Sequence, residues 1–217
     1  MRRRFAPDLY LITDRKLCAG LGLERVVGEA VAGGVTMVQL RDDLTASSDL
    51  VALARRLKDM LEPMGVPLIV NNRLEVALAA DANGLHVGQA DITPLRARQE
   101  LGQEAILGLS ITDPNQLEAV DATRVDYLGV GPIFATATKA DAAPAIGQAG
   151  LAACRSRTAL PIVAIGGLDH GNAEAVMRAG ADGIAVVSAI CGAVDPRAAA
   201  RSLVATIRKA QPVEARH

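Results

Sequence analysis

Residues 38–43, Val-Gln-Leu-Arg-Asp-Asp, place a neutral donor-acceptor, a cation and two anions at the end of what reads as a buried β-strand. Burying such groups without partners costs about 1–3 kcal/mol each, and more for the charges, so something must satisfy them. Residues two apart on a strand share a face, which groups Gln39, Arg41 and Asp43 and turns Leu40 and Asp42 the other way. A ligand site is one reading; an ion pair between Arg41 and a neighbouring carboxylate is the other. Three further apolar runs also end polar, in Asn71 and Asn72, in Gln89 with Asp91 close behind, and in Ser110, which favours a site.

The segment Thr136-Ala137-Thr138-Lys139 alternates hydroxyl, small residue, hydroxyl and ammonium, a set suited to phosphate oxygens. It lies in the longest irregular stretch, from Pro132 to about Gly147. Gly166 and Gly167 would let backbone amides approach an anion closely, with Ser188 as a further donor. His86 lies inside a strand run, where a hydrogen-bonded structural role is expected, while His170 and His217 read as loop and tail. No nucleophile-base pair and no His/Cys metal spacing is legible.

The elements that must position these residues recur along the chain. Short β-type runs occupy 9–13, 36–41, 67–72, 84–89, 105–110, 126–132, 161–167 and 183–190, several of them near-continuously apolar, as parallel strands covered by helices are. Between them, 48–61 carries Leu50, Leu53, Ala54, Leu57 and Leu61 on one helical face. Thr93-Pro94, Asp113-Pro114 and Asp195-Pro196 mark helix starts, and Gly34 and Gly180 mark helix ends. Alternating β and α units without a linker predict a single (β/α)8 TIM barrel over 1–217. An open doubly wound sheet is the alternative, weakened by the lack of a G-x-G-x-x-G after the first strand. In such a barrel the catalytic end is the C-terminal end of the strands, where the polar residues fall.

Composition narrows the partners. With 23 basic and 24 acidic residues and 2% aromatics, the chain has neither the charge nor the stacking surface of a nucleic-acid binder. No apolar stretch reaches membrane-spanning length, and the run after Arg2, Arg3 and Arg4 is too short for a signal peptide. Cys18, Cys154 and Cys191 are an odd number in separate segments, which fits buried thiols in a reducing compartment. A cytoplasmic protein whose partners are small molecules or copies of itself is expected.

Taken in order, LYLITD, QLRDD, VNNR, GLHVGQAD, GLS, GPIFATATK, AIGG and ADGIAVVSAI resemble the thiamine phosphate synthase family over nearly the whole chain. The resemblance implies a transferase that joins a hydroxymethylpyrimidine diphosphate to a thiazole phosphate and releases pyrophosphate. It implies that Gln39, Arg41, Asn71, Ser110 and Lys139 hold the pyrimidine diphosphate, with Arg41, Ser110 and Lys139 nearest the chemistry. Thr136, Ala137, Thr138, Gly167, Val187 and Ser188 would hold the thiazole phosphate, and Asn72 and Asp91 would bind Mg²⁺. Two positions depart from the family pattern: Asp43 stands where lysine is typical, and Asn72 where aspartate is common. Asp43 is left as a handicap to diphosphate binding, a metal ligand or a bystander. The related thiazole tautomerases are the enzymatic alternative, against which stand Ile111-Thr112 after Ser110, without a histidine, and the intact TATK. A non-catalytic protein binding thiamine precursors is the alternative from another class.

Overall fold

The computed structural model describes residues 5–138 and 142–210. Eight parallel strands close into a barrel in chain order: β1 (Leu9–Ile12), β2 (Met37–Leu40), β3 (Leu68–Asn71), β4 (Gly84–Val87), β5 (Ile106–Ile111), β6 (Tyr127–Val130), β7 (Ile162–Ile165) and β8 (Gly183–Val186). Around them lie α1 (Leu23–Ala32), α2 (Ser47–Leu61), α3 (Leu74–Ala79), α4 (Pro94–Leu101), α5 (Gly147–Arg155), α6 (Ala173–Arg178), α7 (Ser188–Cys191) and α8 (Pro196–Ala210). This is the expected (β/α)8 barrel, and β8 pairs with β1 to shut it, which an open sheet cannot do. Among the described residues no helix is long and apolar enough to cross a membrane.

Strand alternation sorts the apolar residues into two layers. Leu9, Leu11, Val38, Leu40, Leu68 and Val70 face outward into the core shared with the helices. Tyr10, Ile12, Met37, Ile69, Ile106, Tyr127, Val163 and Ala185 fill the barrel interior. α2 presents Leu50, Ala54, Leu57 and Leu61 to the outer core, as its periodicity predicts. Removing these side chains from water supplies roughly 1.5–3 kcal/mol for each large one.

Helix boundaries follow local chemistry. The Thr93 hydroxyl accepts the Arg96 amide at the start of α4, and the Asp195 carboxylate accepts the Ala198 amide before α8. Gly34 and Gly180 take φ of 108° and 107°, a backbone conformation that side chains resist. The segment after Asp113-Pro114 differs from expectation: it is a 3-10 helix over Pro114–Ala119. Asp113 and Gln116 form a capping box there, but Asp121 then accepts the amide and hydroxyl of Thr123 at 2.9 and 2.6 Å, drawing the chain into a turn. The expected strand 183–190 also ends early, at Val186, and Ser188 opens α7 instead.

At the end of the barrel remote from the polar residues, a repeated clasp joins strands in pairs. The amides of Leu9, Leu68, Leu107 and Ile162 donate to the side chains of Thr36, Asn83, Asp126 and Asp182 at 3.2, 2.8, 2.7 and 2.7 Å. The backbone returns each bond, with the amides of residues 36, 83, 126 and 182 donating to the carbonyls of 9, 68, 107 and 162. Each odd-numbered strand is thereby held by the residue just before the next even-numbered strand. Amides near the strand starts, which would otherwise be buried without partners, are satisfied.

The third clasp carries a buried ion pair, with Arg98 Nη2 2.7 Å from Asp126 Oδ2 and the side chains 2% and 7% exposed. Arg98 also donates to the carbonyls of Gly102, Ala105 and Arg124. Removing one partner of such a pair strands the other charge. Asp126→Ala is therefore expected to lower unfolding free energy by about 3–5 kcal/mol in urea titrations. A loss below about 1 kcal/mol would show that the carbonyls alone hold the guanidinium.

Candidate active site

Four consecutive strands each turn one polar side chain inward near their C-terminal ends: Gln39 on β2, Asn71 on β3, His86 on β4 and Ser110 on β5. Register puts Asn71 opposite His86, and His86 opposite Gly108 on β5. The facing wall, from β6 to β8, offers Gly129, Val163, Ile165 and Ala185, which are small or apolar. Between them lies a cavity of about 620 Å³.

Beneath the cavity floor the polar wall is tied together. Gln39 Nε2 donates to the Tyr10 hydroxyl at 2.8 Å, and the Tyr10 and Tyr127 hydroxyls are 3.0 Å apart. Tyr127 Oη lies 2.9 Å from His86 Nδ1, and His86 Nε2 lies 2.9 Å from Ser110 Oγ. Burial raises the pKa of both phenols, so each is a neutral group with one hydrogen to give. Space for the ring pair comes from glycine. A Cβ on Gly108 would lie 2.2 Å from Tyr127 Cζ and 2.4 Å from His86 Nδ1, and one on Gly129 would lie 2.9 Å from His86 Cε1. His86 has the hydrogen-bonded role expected of it, and it also lines the cavity. Tyr10 and Tyr127 escape a reading by residue type, although counting alternate residues along 9–12 and 127–130 turns both inward.

At the mouth, Arg41 Nη2 donates to the Thr138 carbonyl at 3.0 Å and lies 3.6 Å from Asp14 Oδ2. The ion pair expected as the competing reading is thus present, but with Asp14 on the loop after β1. Asp42 requires a correction. β2 stops at Leu40, so alternation no longer applies, and Asp42 and Asp43 both line the cavity. Asp42 holds its own turn, accepting from the amides of Leu44 and Thr45 and from the Thr45 hydroxyl. Burial works against its ionisation, but these donors and Arg15 outweigh it and hold the carboxyl below the usual range. Asp14, Arg15 and Lys16 also reach the cavity. Their place at the end of a strand run was the available signal.

A second cavity of about 400 Å³ adjoins the first and shares nine lining residues with it, among them Arg41, Asn72, Asp91, Ser110 and Thr138. It continues past Thr136 to Gly167, Val187 and Ser188. Gly166 and Gly167 have φ of 98° and 63°, and a Cβ on Gly167 would meet the Ala135 carbonyl oxygen at 2.6 Å. The loop after β6 therefore packs directly on the loop after β7. Ala137 is exposed between Thr136 and Thr138, and the hydroxyls of those two threonines are 2.9 Å apart. Lys139 lies outside the described residues.

Asn72 and Asp91 both line the shared boundary. Asn72 has a φ of 57°, a left-handed conformation that asparagine tolerates better than most residues, and its amide donates to the His86 carbonyl at 2.9 Å. Asp91 Oδ2 accepts the Gly88 amide at 2.7 Å, and among the described residues no hydrogen bond reaches the other carboxylate oxygen. Among the described residues no group of three or more His, Cys, Asp or Glu is placed to hold a metal by itself.

A closed (β/α)8 barrel with a two-chambered polar cavity at the C-terminal ends of its strands is the architecture of a barrel enzyme. The sequence profile of the thiamine monophosphate synthase family matches residues 9–190, and the chain belongs to that family. Membership makes it a transferase of thiamine biosynthesis. It is 54% identical to a thiamine-phosphate synthase of Xanthobacter autotrophicus, over 97% of this chain and all of that one. It is also 54% identical to the one from Azorhizobium caulinodans, over 94% and 96% of the two chains. A solved thiamine phosphate pyrophosphorylase from Pyrococcus furiosus superposes with a TM-score of 0.86 at 31% identity, covering 95% of this chain and 98% of that one.

The room left by Gly108 makes a specific demand. Gly108→Ala forces Tyr127 and His86 apart and is expected to cost about 1–3 kcal/mol of stability, as overpacking does. Urea unfolding measures it, and a wild-type midpoint would mean the ring pair moves freely.

Proposed function

We propose that the protein condenses 4-amino-2-methyl-5-(diphosphooxymethyl)pyrimidine with 4-methyl-5-(2-phosphooxyethyl)thiazole, giving thiamine phosphate and pyrophosphate. The observation that carries this reading is the pair of adjoining chambers that share Arg41 and Ser110, since a condensation needs two ligands side by side. In this reading Gln39, Asn71 and Ser110 hold the pyrimidine, and Arg41 and Lys139 hold its diphosphate. Thr136, Ala137, Thr138, Gly167, Val187 and Ser188 hold the thiazole phosphate.

The carbon-oxygen bond to the diphosphate breaks with its electron pair leaving on pyrophosphate, and the thiazole nitrogen supplies the pair for the new carbon-nitrogen bond. Arg41 and Lys139 stabilise the charge that grows on the leaving group. The small, apolar wall of β6 to β8 keeps water from capturing the pyrimidine cation. Arg15 and Lys16 add positive charge at the same mouth.

Magnesium fits the donor set, because it commonly takes one or two carboxylates and completes its shell with water and substrate phosphates. Asp91 would supply the carboxylate and Asn72 a neutral carbonyl, and the ion when bound neutralises diphosphate charge. The buried thiols of Cys18, Cys154 and Cys191 support a reducing, cytoplasmic setting.

The test is incubation with both precursors and Mg²⁺, following thiamine phosphate and pyrophosphate; absence of product at high enzyme concentration overturns the reading. Lys139→Ala should remove most turnover, on the order of 100-fold or more. Near-wild-type rates would place TATK away from the diphosphate. Asp43→Lys reverses a charge at the mouth and is expected to lower the KM for the pyrimidine diphosphate about 5- to 10-fold, with the gain shrinking as salt is raised. An unchanged KM makes Asp43 a bystander, and a loss of Mg²⁺ affinity makes it a metal ligand.

A further inference from the structure

The hydrogen-bond chain from Gln39 to Ser110 can run in two directions, because each member has a fixed number of hydrogens, and the Gln39 amide, with Nε2 turned to Tyr10, selects one. An amide nitrogen only donates, so the Tyr10 oxygen accepts from Gln39 and the Tyr10 hydrogen is left for Tyr127. For every buried hydroxyl hydrogen to be bonded, the Tyr127 oxygen then accepts and its hydrogen goes to His86 Nδ1, 2.9 Å away. An Nδ1 that accepts is bare, so the neutral imidazole carries its hydrogen on Nε2 and donates it to Ser110 Oγ. Ser110 therefore keeps its own hydrogen for the cavity it lines. At the other end, Gln39 Oε1 stays an acceptor at the same cavity.

We propose that Tyr10, Tyr127 and His86 are positioning residues that set the polarity of the pocket, fixing Gln39 as its acceptor and Ser110 as its donor. Neither end touches the other, yet each constrains the other through three buried groups that are 1%, 0% and 8% exposed. Turning the Gln39 amide over would reverse all four bonds, move the histidine hydrogen to Nδ1 and make Ser110 give its hydrogen inward. Protonating His86 would make Tyr127 accept twice and leave its own hydrogen stranded in a buried site. An amino group beside a ring nitrogen offers one donor and one acceptor, the complement of this pocket, and that match rests on the function proposed above. The opposite polarity would meet both groups with like partners and reject them.

Long-range proton-nitrogen NMR of the full chain with ¹⁵N-labelled histidine reads the polarity directly. The chain has three histidines, and His170→Ala and His217→Ala variants assign the His86 signals by elimination. The expected pattern is a neutral ring with Nε2 protonated and Nδ1 bare; Nδ1 protonated, or a charged ring, overturns the proposal. Tyr127→Phe keeps the ring and removes the central link, and Tyr10→Phe removes the link one step further from Ser110. In either variant His86 should lose its single tautomer. The kcat/KM for the pyrimidine diphosphate should fall about 10- to 100-fold while the KM for the thiazole phosphate stays within about twofold. Wild-type kinetics in a folded variant whose tautomer has changed would refute the positioning role. The NMR result does not depend on turnover, so failure of the synthase reading and reversal of the polarity are separate outcomes.

Discussion

The inside of this barrel depends on five polar side chains completing one another. Gln39, Tyr10, Tyr127, His86 and Ser110 come from β2, β1, β6, β4 and β5, and no two of them are near in sequence. Each would be expensive to bury by itself, and together they leave no sealed, unpartnered side-chain atom among the described residues. The chain crosses the barrel under the cavity and so fixes the height of the floor. It also explains why β5 and β6 carry Gly108 and Gly129 where most barrel strands carry branched residues: the two rings need that volume.

Stability and chemistry are separated along the barrel axis. The lower end is braced by Thr36, Asn83, Asp126 and Asp182, each closing the start of a neighbouring strand. Among the described residues, the upper end holds groups with bonding capacity left over: Arg41 between Thr138 and Asp14, and Asp91 with one oxygen committed to Gly88. A mouth with free bonding capacity is affordable because the other end does not contribute to it. The shared boundary of the two chambers falls on these incompletely partnered groups.

Much of this was legible in the residues. Eight apolar runs specify a barrel, the four that end polar mark the end at which to look, and Thr93, Asp195, Gly34 and Gly180 mark helix boundaries through chemistry that is local by nature. Errors arose where local chemistry changed within a run. Alternation extended past Leu40, where β2 ends, turns Asp42 away from the cavity that it lines. The apolar Ala189 and Ile190 read as a continuation of β8, whereas they belong to α7. Tyr10 and Tyr127 were missed because a tyrosine in an apolar run looks like packing. Only partners 29 and 117 positions away, Gln39 and Tyr127, show that the Tyr10 hydroxyl is part of the polar wall. Family resemblance supplies a role for Val187, which residue type and spacing do not assign.

Under the proposed function, one polar floor and two joined chambers would hold both halves of the product. A crystal structure with thiamine phosphate and pyrophosphate bound tests it most directly. The expected result is the pyrimidine against Gln39 and Ser110, the thiazole phosphate beside Gly167 and Ser188, and pyrophosphate at Arg41. A product whose phosphate lies among Arg15 and Lys16, with the pyrimidine ring away from the wall of β2 to β5, would contradict it.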